Sequence, residues 1–219
     1  MKFLAGLTAI CMSALVLAAQ ASGPTKSSAA NPQVVLDTGF GRIVIEVFED
    51  KAPKNAAYFL ELVDNQDYDG GSFYRAGGSV STSSRSSPII QGGFLWNAAT
   101  GEFSLEHDGA RVRTLPVFDT TTDSGIRHVY GTVSLARDIF ASGDGIPEIF
   151  ICTGDSPVFD ANGRTKPDTR GFPAFGKVIE GMDVVEKIAA RETDGISKTD
   201  AVKGQILTEP VAIEKAYRN

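Results

Sequence analysis

The side chains that most often carry enzyme chemistry are scarce in this sequence. It has two histidines, His107 and His128, and two cysteines, none at the Cys-x-x-Cys or His-x-x-x-His spacing of a zinc site. Neither a Gly-x-Ser-x-Gly nucleophile motif nor a Gly-x-x-x-x-Gly-Lys-Ser/Thr phosphate loop occurs. Cys152 lies in the apolar segment IFIC, where a thiol is usually inert. We therefore expect no metal, no cofactor and no covalent intermediate.

The elements that would position other polar side chains are mostly strands. Alternation of apolar and polar residues or short apolar runs predict strands at 34–38, 42–48, 72–75, 89–94, 131–136, 148–153 and 173–179. The segment 205–216 is either one closing strand or a strand pair interrupted by Pro210. Apolar stripes predict a helix in 52–65 and another beginning near Met182. Many strands, two helices and no strand–helix alternation indicate an antiparallel barrel or sandwich with helical plugs.

The first 21 residues have the features of a signal peptide. Lys2 supplies a positive charge, an apolar run follows from Phe3 to Ala18, and the small-residue pattern Ala-Gln-Ala ends at Ala21. A membrane anchor is the alternative, but the run is short for a bilayer and no basic cluster follows it. We expect cleavage before Ser22, a flexible leader at 22–32, one domain at 33–219, and a periplasmic or secreted protein without a membrane span.

Charge and cysteine content limit the partners. The chain has a formal net charge of −6, and loss of Lys2 with the signal peptide leaves 20 basic against 27 acidic residues. An acidic surface repels phosphate backbones, so we expect no nucleic-acid partner. Cleavage also leaves Cys152 as the sole cysteine, so an internal disulfide is impossible and stability must come from a packed core.

Several sequence blocks, taken together and in order, resemble the cyclophilin family and its bacterial exported members. The likeness covers roughly 34–216, and the blocks are T-x-x-G-x-I-x-I-E-V-F at 38–48, APKNAAYF at 52–59, FYR at 73–75, IIQGG at 89–93, GTVSLAR at 131–137, IFICT at 149–153 and FGKVIEGMDVVEKI at 175–188. This resemblance implies a mainly β fold, a closed eight-stranded antiparallel barrel capped by two α-helices. It also implies a cofactor-independent peptidyl-prolyl cis/trans isomerase that assists the folding of exported proteins.

Such an enzyme rotates a partial double bond and breaks none. The amide of an Xaa-Pro bond loses its resonance at the twisted midpoint, a barrier of about 18–20 kcal/mol. An apolar pocket for the proline ring and a donor aimed at the imide nitrogen lower that barrier, provided the donor binds the twisted state more strongly than either planar state. The absence of motifs for a nucleophile, metal or cofactor agrees with this chemistry.

The resemblance also assigns the site residues. Arg75 is implied as the catalytic donor, and Gln91 as the residue that orients it and bonds the substrate backbone. Phe150 is implied as the floor of the proline pocket, although sequence alone does not separate pocket from core. The remaining substrate-binding residues implied are the pocket walls Ile89, Phe159 and Phe172 and the strand-edge residues Ala136 and Arg137.

Some positions depart from the family pattern. Fifteen residues separate Arg75 from Gln91, more than the usual connection, Arg137 replaces a common asparagine, and Glu148 replaces a common glutamine. Val158 stands where a tryptophan favours cyclosporin binding, so we expect weak cyclosporin binding.

We expect a monomer that acts on proline-containing polypeptides. The alternatives are a non-catalytic cyclophilin-like peptide-binding or chaperone module and, with coincidental motifs, an unrelated β-barrel.

Overall fold

The structure, a computed structural model, describes residues 30–78, 87–139 and 141–219. The predicted signal peptide and most of the predicted leader lie outside these residues, as does most of the connection between Arg75 and Gln91. No helix in the described ranges has the length and apolar character needed to cross a bilayer.

Eight antiparallel strands close into a barrel in the order β1-β12-β3-β4-β10-β9-β11-β2. The barrel strands are β1 (Gln33–Thr38), β2 (Gly41–Val47), β3 (Ser72–Gly77), β4 (Ile89–Gly93), β9 (Thr132–Arg137), β10 (Gly145–Cys152), β11 (Ala174–Glu180) and β12 (Ile206–Arg218). The expected closed eight-stranded barrel is therefore confirmed. The last segment is one strand, and Pro210 is accommodated where the register between β12 and β3 shifts, between Ile206 and Val211.

Two helices form where the apolar stripes predict them. Helix α1 (Pro53–Asp64) begins with proline in its first turn and buries Ala56, Phe59, Leu60 and Val63. Helix α3 (Met182–Ala189) buries Val184, Val185 and Ile188. The described residues also contain a third helix of one turn, α2 (Thr121–Ser124). It begins with a capping box between Thr120 and Asp123 and ends at Gly125, which has a φ of 71°.

Two short hairpins follow β4 outside the barrel, and neither was predicted. They pair β5 (Trp96–Asn97) with β6 (Glu102–Phe103), and β7 (Glu106–His107) with β8 (Ala110–Arg111). Strands of two residues are too short to show a period of two, so alternation in the sequence gives no signal for them.

Apolar residues form two separate clusters, and the division follows strand alternation. On β10, Ile149 and Ile151 belong to the main core of the barrel, whereas Phe150 and Cys152 belong to a second, smaller cluster. On β4, Ile90 likewise lies in the main core and Ile89 in the second cluster. Successive side chains of a strand point to opposite faces, so the second cluster lies on the outer face of the barrel wall.

Candidate active site

Three neighbouring strands place an arginine, a glutamine and a phenylalanine in one row. Arg75 of β3 is paired with Gln91 of β4, and Gln91 is paired with Phe150 of β10. Side chains directly opposite each other on adjacent strands project from the same face. Strands in a sheet are about 4.8 Å apart, so Arg75 and Phe150 flank Gln91 at a backbone separation of about 10 Å.

A β-bulge turns the arginine toward this outer face. Phe73 is buried in the main core, and in a regular strand Arg75, two residues later, would share its direction. The register between β3 and β4 shifts between Phe73 and Arg75, which breaks the alternation. Tyr74 and Arg75 consequently both contact Gln91 with their side chains. Bulges commonly re-aim side chains in this way beside functional sites.

The Arg75 guanidinium is held by two glutamines. Its Nη1 donates to Oε1 of Gln91 at 2.7 Å, while Nε and Nη2 donate to Oε1 of Gln205 at 3.0 and 2.7 Å. These bonds use three of the five N–H groups of an arginine. Burial lowers the pKa of Arg75, but an arginine stays charged in proteins. Within the part of the chain that the structure describes, the other two N–H groups have no hydrogen-bond partner and could serve a ligand.

The apolar residues predicted for the pocket come together beside this row. The second cluster consists of Ile89, Phe150, Cys152 and Phe172, with Phe159 and Ile139 packed against it. The rings of Phe150, Phe159 and Phe172 lie 5.0–5.4 Å apart, two of the three pairs edge to face. Because Phe159 is partly exposed, this aromatic group reaches the surface and is not sealed in the barrel core.

A histidine–aspartate pair supports the central ring. The His128 ring stacks on Phe150 with centroids 5.6 Å apart, and its Nδ1 lies 2.9 Å from Oδ1 of Asp160. His128 is almost wholly buried, and burial lowers its pKa against the opposing effect of Asp160. A buried neutral histidine held by a carboxylate fixes the orientation of the ring above it. This side chain therefore supports the pocket floor structurally.

Cys152 shows no sign of reactivity. It is fully buried in the same cluster as Phe150, and burial raises the pKa of its thiol to about 12. A thiol that stays protonated is a poor nucleophile.

The side chain of Arg137 is committed to the protein itself. It is fully buried, donates to the carbonyl oxygens of Gly143 and Gly171, and forms an ion pair with Asp168, with Nη2 2.6 Å from Oδ2. Hydrogen bonding to Arg137 holds the pKa of Asp168 well below its usual range. This arginine joins the segment between β9 and β10 to the segment that precedes β11. Any contact of Arg137 with substrate must therefore come from its backbone, and that role stays a prediction, as does the role of the adjacent Ala136.

Comparisons with known proteins identify the family of this chain. Residues 33–217 match the family model described as cyclophilin type peptidyl-prolyl cis-trans isomerase/CLD. The chain belongs to this family. A peptidyl-prolyl cis-trans isomerase of Streptomyces antibioticus is 31% identical over 84% of this chain and 96% of its own, and peptidyl-prolyl cis-trans isomerase A of Dickeya dadantii is 26% identical over 92% of each. A Cryptosporidium parvum cyclophilin crystallised in the presence of the dipeptide Ala-Pro has a TM-score of 0.60 at 19% identity and covers 85% of this chain and 98% of its own.

Two residues of this cyclophilin site escaped the sequence analysis. Gln205 accepts two hydrogen bonds from Arg75 although 130 positions separate them, and no local pattern marks it. Tyr74 lies beside Arg75 in sequence and could have been noticed as the aromatic neighbour of the donor. Its ring stacks on Trp96 with centroids 5.0 Å apart, which anchors the first outer hairpin to the site.

Proposed function

We propose that this cyclophilin accelerates rotation about Xaa-Pro bonds with Arg75 as the donor to the imide nitrogen and the Phe150 cluster as the proline pocket. The observation that carries the proposal is the row of Arg75, Gln91 and Phe150 across three paired strands. It supports a proline ring seated on Phe150 with the preceding amide beneath the guanidinium. Ile89, Phe159 and Phe172 then form the pocket walls.

The energetic role of Arg75 depends on its rigidity. The imide nitrogen regains its lone pair only when the amide is twisted, so a positively charged donor binds the twisted state better than either planar isomer. The two glutamine carbonyls hold three N–H groups of Arg75 in place. Little reorganisation is then needed as the bond rotates, which is how a fixed donor lowers a barrier.

The test is an isomerisation assay on a short Xaa-Pro peptide with the wild type, Arg75→Ala and a matched arginine control. We expect kcat/KM to fall about 10²-fold in Arg75→Ala, the size seen when a preorganised donor is removed. The control Arg42→Ala, at a half-exposed arginine whose nearest carboxylate is 3.5 Å away, should retain wild-type activity. Equal rates with and without the wild-type protein would favour the non-catalytic peptide-binding or chaperone module.

We further propose that the enzyme acts on exported polypeptides in the periplasm or outside the cell. The support is the pattern of residues 1–21, with its positive charge, short apolar run and small-residue cleavage site. Fractionation of cells that express the full chain, with N-terminal sequencing of the product, tests this. A mature protein that begins at Ser22 in the exported fraction supports the proposal, and an uncleaved cytosolic protein refutes it.

A further inference from the structure

Arg164 covers one wall of the proposed proline pocket. Its guanidinium carbon lies 4.6 Å from the centroid of the Phe172 ring, and a cation over an aromatic face is attracted by the ring electrons. The centroids of the Phe172 and Phe150 rings are 5.4 Å apart. The guanidinium carbon therefore lies no more than 10 Å from the centre of the ring that forms the pocket floor.

No carboxylate pairs with Arg164 in the ranges that the structure describes. Its Nε and Nη2 atoms are buried without a hydrogen-bond partner, and the side chain as a whole is partly exposed. All 27 aspartates and glutamates of the chain lie in these ranges, since residues 1–29, 79–86 and 140 include none. Keeping a charge partly out of water without a partner is costly. A ligand that brings the missing anion would therefore gain binding energy here.

The carboxylate that acts on Arg164 is already paired with two other arginines. Oδ2 of Asp168 lies 2.6 Å from Nη2 of Arg137 and 3.3 Å from Nε of Arg170. Burial and then the charge of Arg137 lower the pKa of Arg164, while Asp168 acts in the opposite direction. An arginine nevertheless stays charged in proteins. Three arginines against one aspartate leave an excess of positive charge beside Phe172, although the whole chain has a formal net charge of −6.

Two further aspartates on neighbouring loops have partners of their own. Asp160 lies 2.9 Å from Nδ1 of His128 and 3.2 Å from Nη1 of Arg127. Oδ2 of Asp144 accepts a hydrogen bond from the Thr114 hydroxyl at 2.8 Å. These bonds hold both carboxylates in place, and neither forms an ion pair with the arginine that covers the pocket wall.

We propose that Arg164 is a specificity-determining residue that favours polypeptide substrates with an aspartate or a glutamate next to the proline. The inference rests on the proposed function, which seats the proline ring on Phe150. Adjacent Cα atoms are about 3.8 Å apart, so a side chain next to that proline lies on the order of 10 Å from the guanidinium. A carboxylate there is attracted, and a lysine or an arginine is repelled. If Arg164 only packed on Phe172, catalysis would not depend on substrate charge.

Coulomb's law sets the expected size of this preference. For unit charges about 10 Å apart, the gain in affinity rises from about 2-fold in water to about 16-fold at an effective dielectric constant of about 20. We therefore expect about a fivefold preference for a glutamate peptide over its glutamine counterpart, and a similar penalty for lysine. The Debye length is about 30 Å at 0.01 M salt and about 3 Å at 1 M, so concentrated salt should abolish the preference.

The test compares peptides that carry glutamate, glutamine or lysine directly before or directly after the proline, at an ionic strength of about 0.01 M. Both kcat/KM and the peptide Kd are measured. The wild type should prefer glutamate at one of the two positions at least, and Arg164→Lys, which keeps the charge, should retain the preference. Arg164→Gln should abolish it and Arg164→Glu should reverse it. Arg42→Gln, at the half-exposed arginine of β2, is the matched control and should prefer glutamate as the wild type does.

The two readouts separate this inference from the proposed function. Equal Kd and kcat/KM values for glutamate and lysine peptides at both positions in the wild type would overturn the specificity role. A preference for glutamate that persists in Arg164→Gln would overturn it as well. A protein that binds glutamate peptides more tightly but accelerates the isomerisation of none would refute the proposed function instead. The role of Arg164 in recognition would then stand, because the Kd does not depend on catalysis.

Discussion

Replacement of the buried Glu148 by glutamine should stabilise the protein at neutral and alkaline pH and have little effect in acid. Burial raises the pKa of this carboxyl from an ordinary value of 4.5 to about 7 in the folded protein. The folded state therefore holds a proton that the unfolded state has already lost between those pH values. Stability falls as pH rises through that window, because the folded protein must finally accommodate a buried charge.

The magnitude follows from linkage. Each pH unit between the two pKa values is worth about 1.4 kcal/mol, so ionised Glu148 lowers the free energy of unfolding by about 3 kcal/mol above pH 7. Glutamine has nearly the same shape and no charge. We therefore expect the stability of Glu148→Gln relative to the wild type to increase by about 3 kcal/mol between pH 4.5 and 8.

The assay is urea unfolding of both proteins at pH 4.5, 6 and 8, with the difference in free energy of unfolding taken at each pH. Other carboxylates and histidines titrate in both proteins and cancel in that difference. Glu106→Gln, at an exposed glutamate, is the matched control for the same substitution on the surface. A constant difference for Glu148→Gln, or one that shrinks as pH rises, would refute the assignment of a raised pKa to this carboxyl.

Three further predictions concern the surroundings of the site. Arg137→Ala should lower the free energy of unfolding by about 3 kcal/mol in chemical denaturation, because it removes a buried cation that bonds two carbonyl oxygens and Asp168. A loss of less than about 1 kcal/mol would show that the ion pair does not stabilise the fold. In a Cys11→Ser chain, Cys152 should react with a thiol reagent at pH 8 only after unfolding, because burial raises the pKa of its thiol to about 12. Rapid labelling of the native protein would contradict the burial of Cys152. Cyclosporin should inhibit the isomerase weakly, and Val158→Trp should strengthen the inhibition, because the family resemblance implies that tryptophan at this position favours cyclosporin binding. Sub-micromolar inhibition of the wild type would contradict this expectation.

The closed barrel and the three residues at the centre of the site were predicted from the sequence. Strands β3, β4 and β10 overlap the FYR, IIQGG and IFICT blocks, and their pairing brings Arg75, Gln91 and Phe150 together as the resemblance implied. Alternation within each strand also separates core from pocket once the pairing is known. Before that, Phe150 and Ile149 are indistinguishable apolar residues.

The features that could not be predicted depend on contacts distant in sequence. Gln205 meets Arg75 only because the barrel closes β12 against β3. The inward turn of the Arg137 side chain depends on Asp168 and two carbonyl groups from other loops. Glu148 is buried because its carboxylate occupies the space beside Gly93 on the paired strand, where any other residue would have a side chain. Periodicity reports the direction of a side chain and gives no information about its partner.

Catalysed exchange of an Xaa-Pro peptide, measured by NMR, reports on transition-state stabilisation by Arg75. The exchange rate at saturating peptide and the peptide Kd should be measured for the wild type and Arg75→Ala. We expect the Kd to change by less than about fivefold and the exchange rate to fall about 10²-fold, since the guanidinium acts on the twisted amide more than on either planar isomer. An Arg75→Ala enzyme that exchanges bound peptide at the wild-type rate would contradict it.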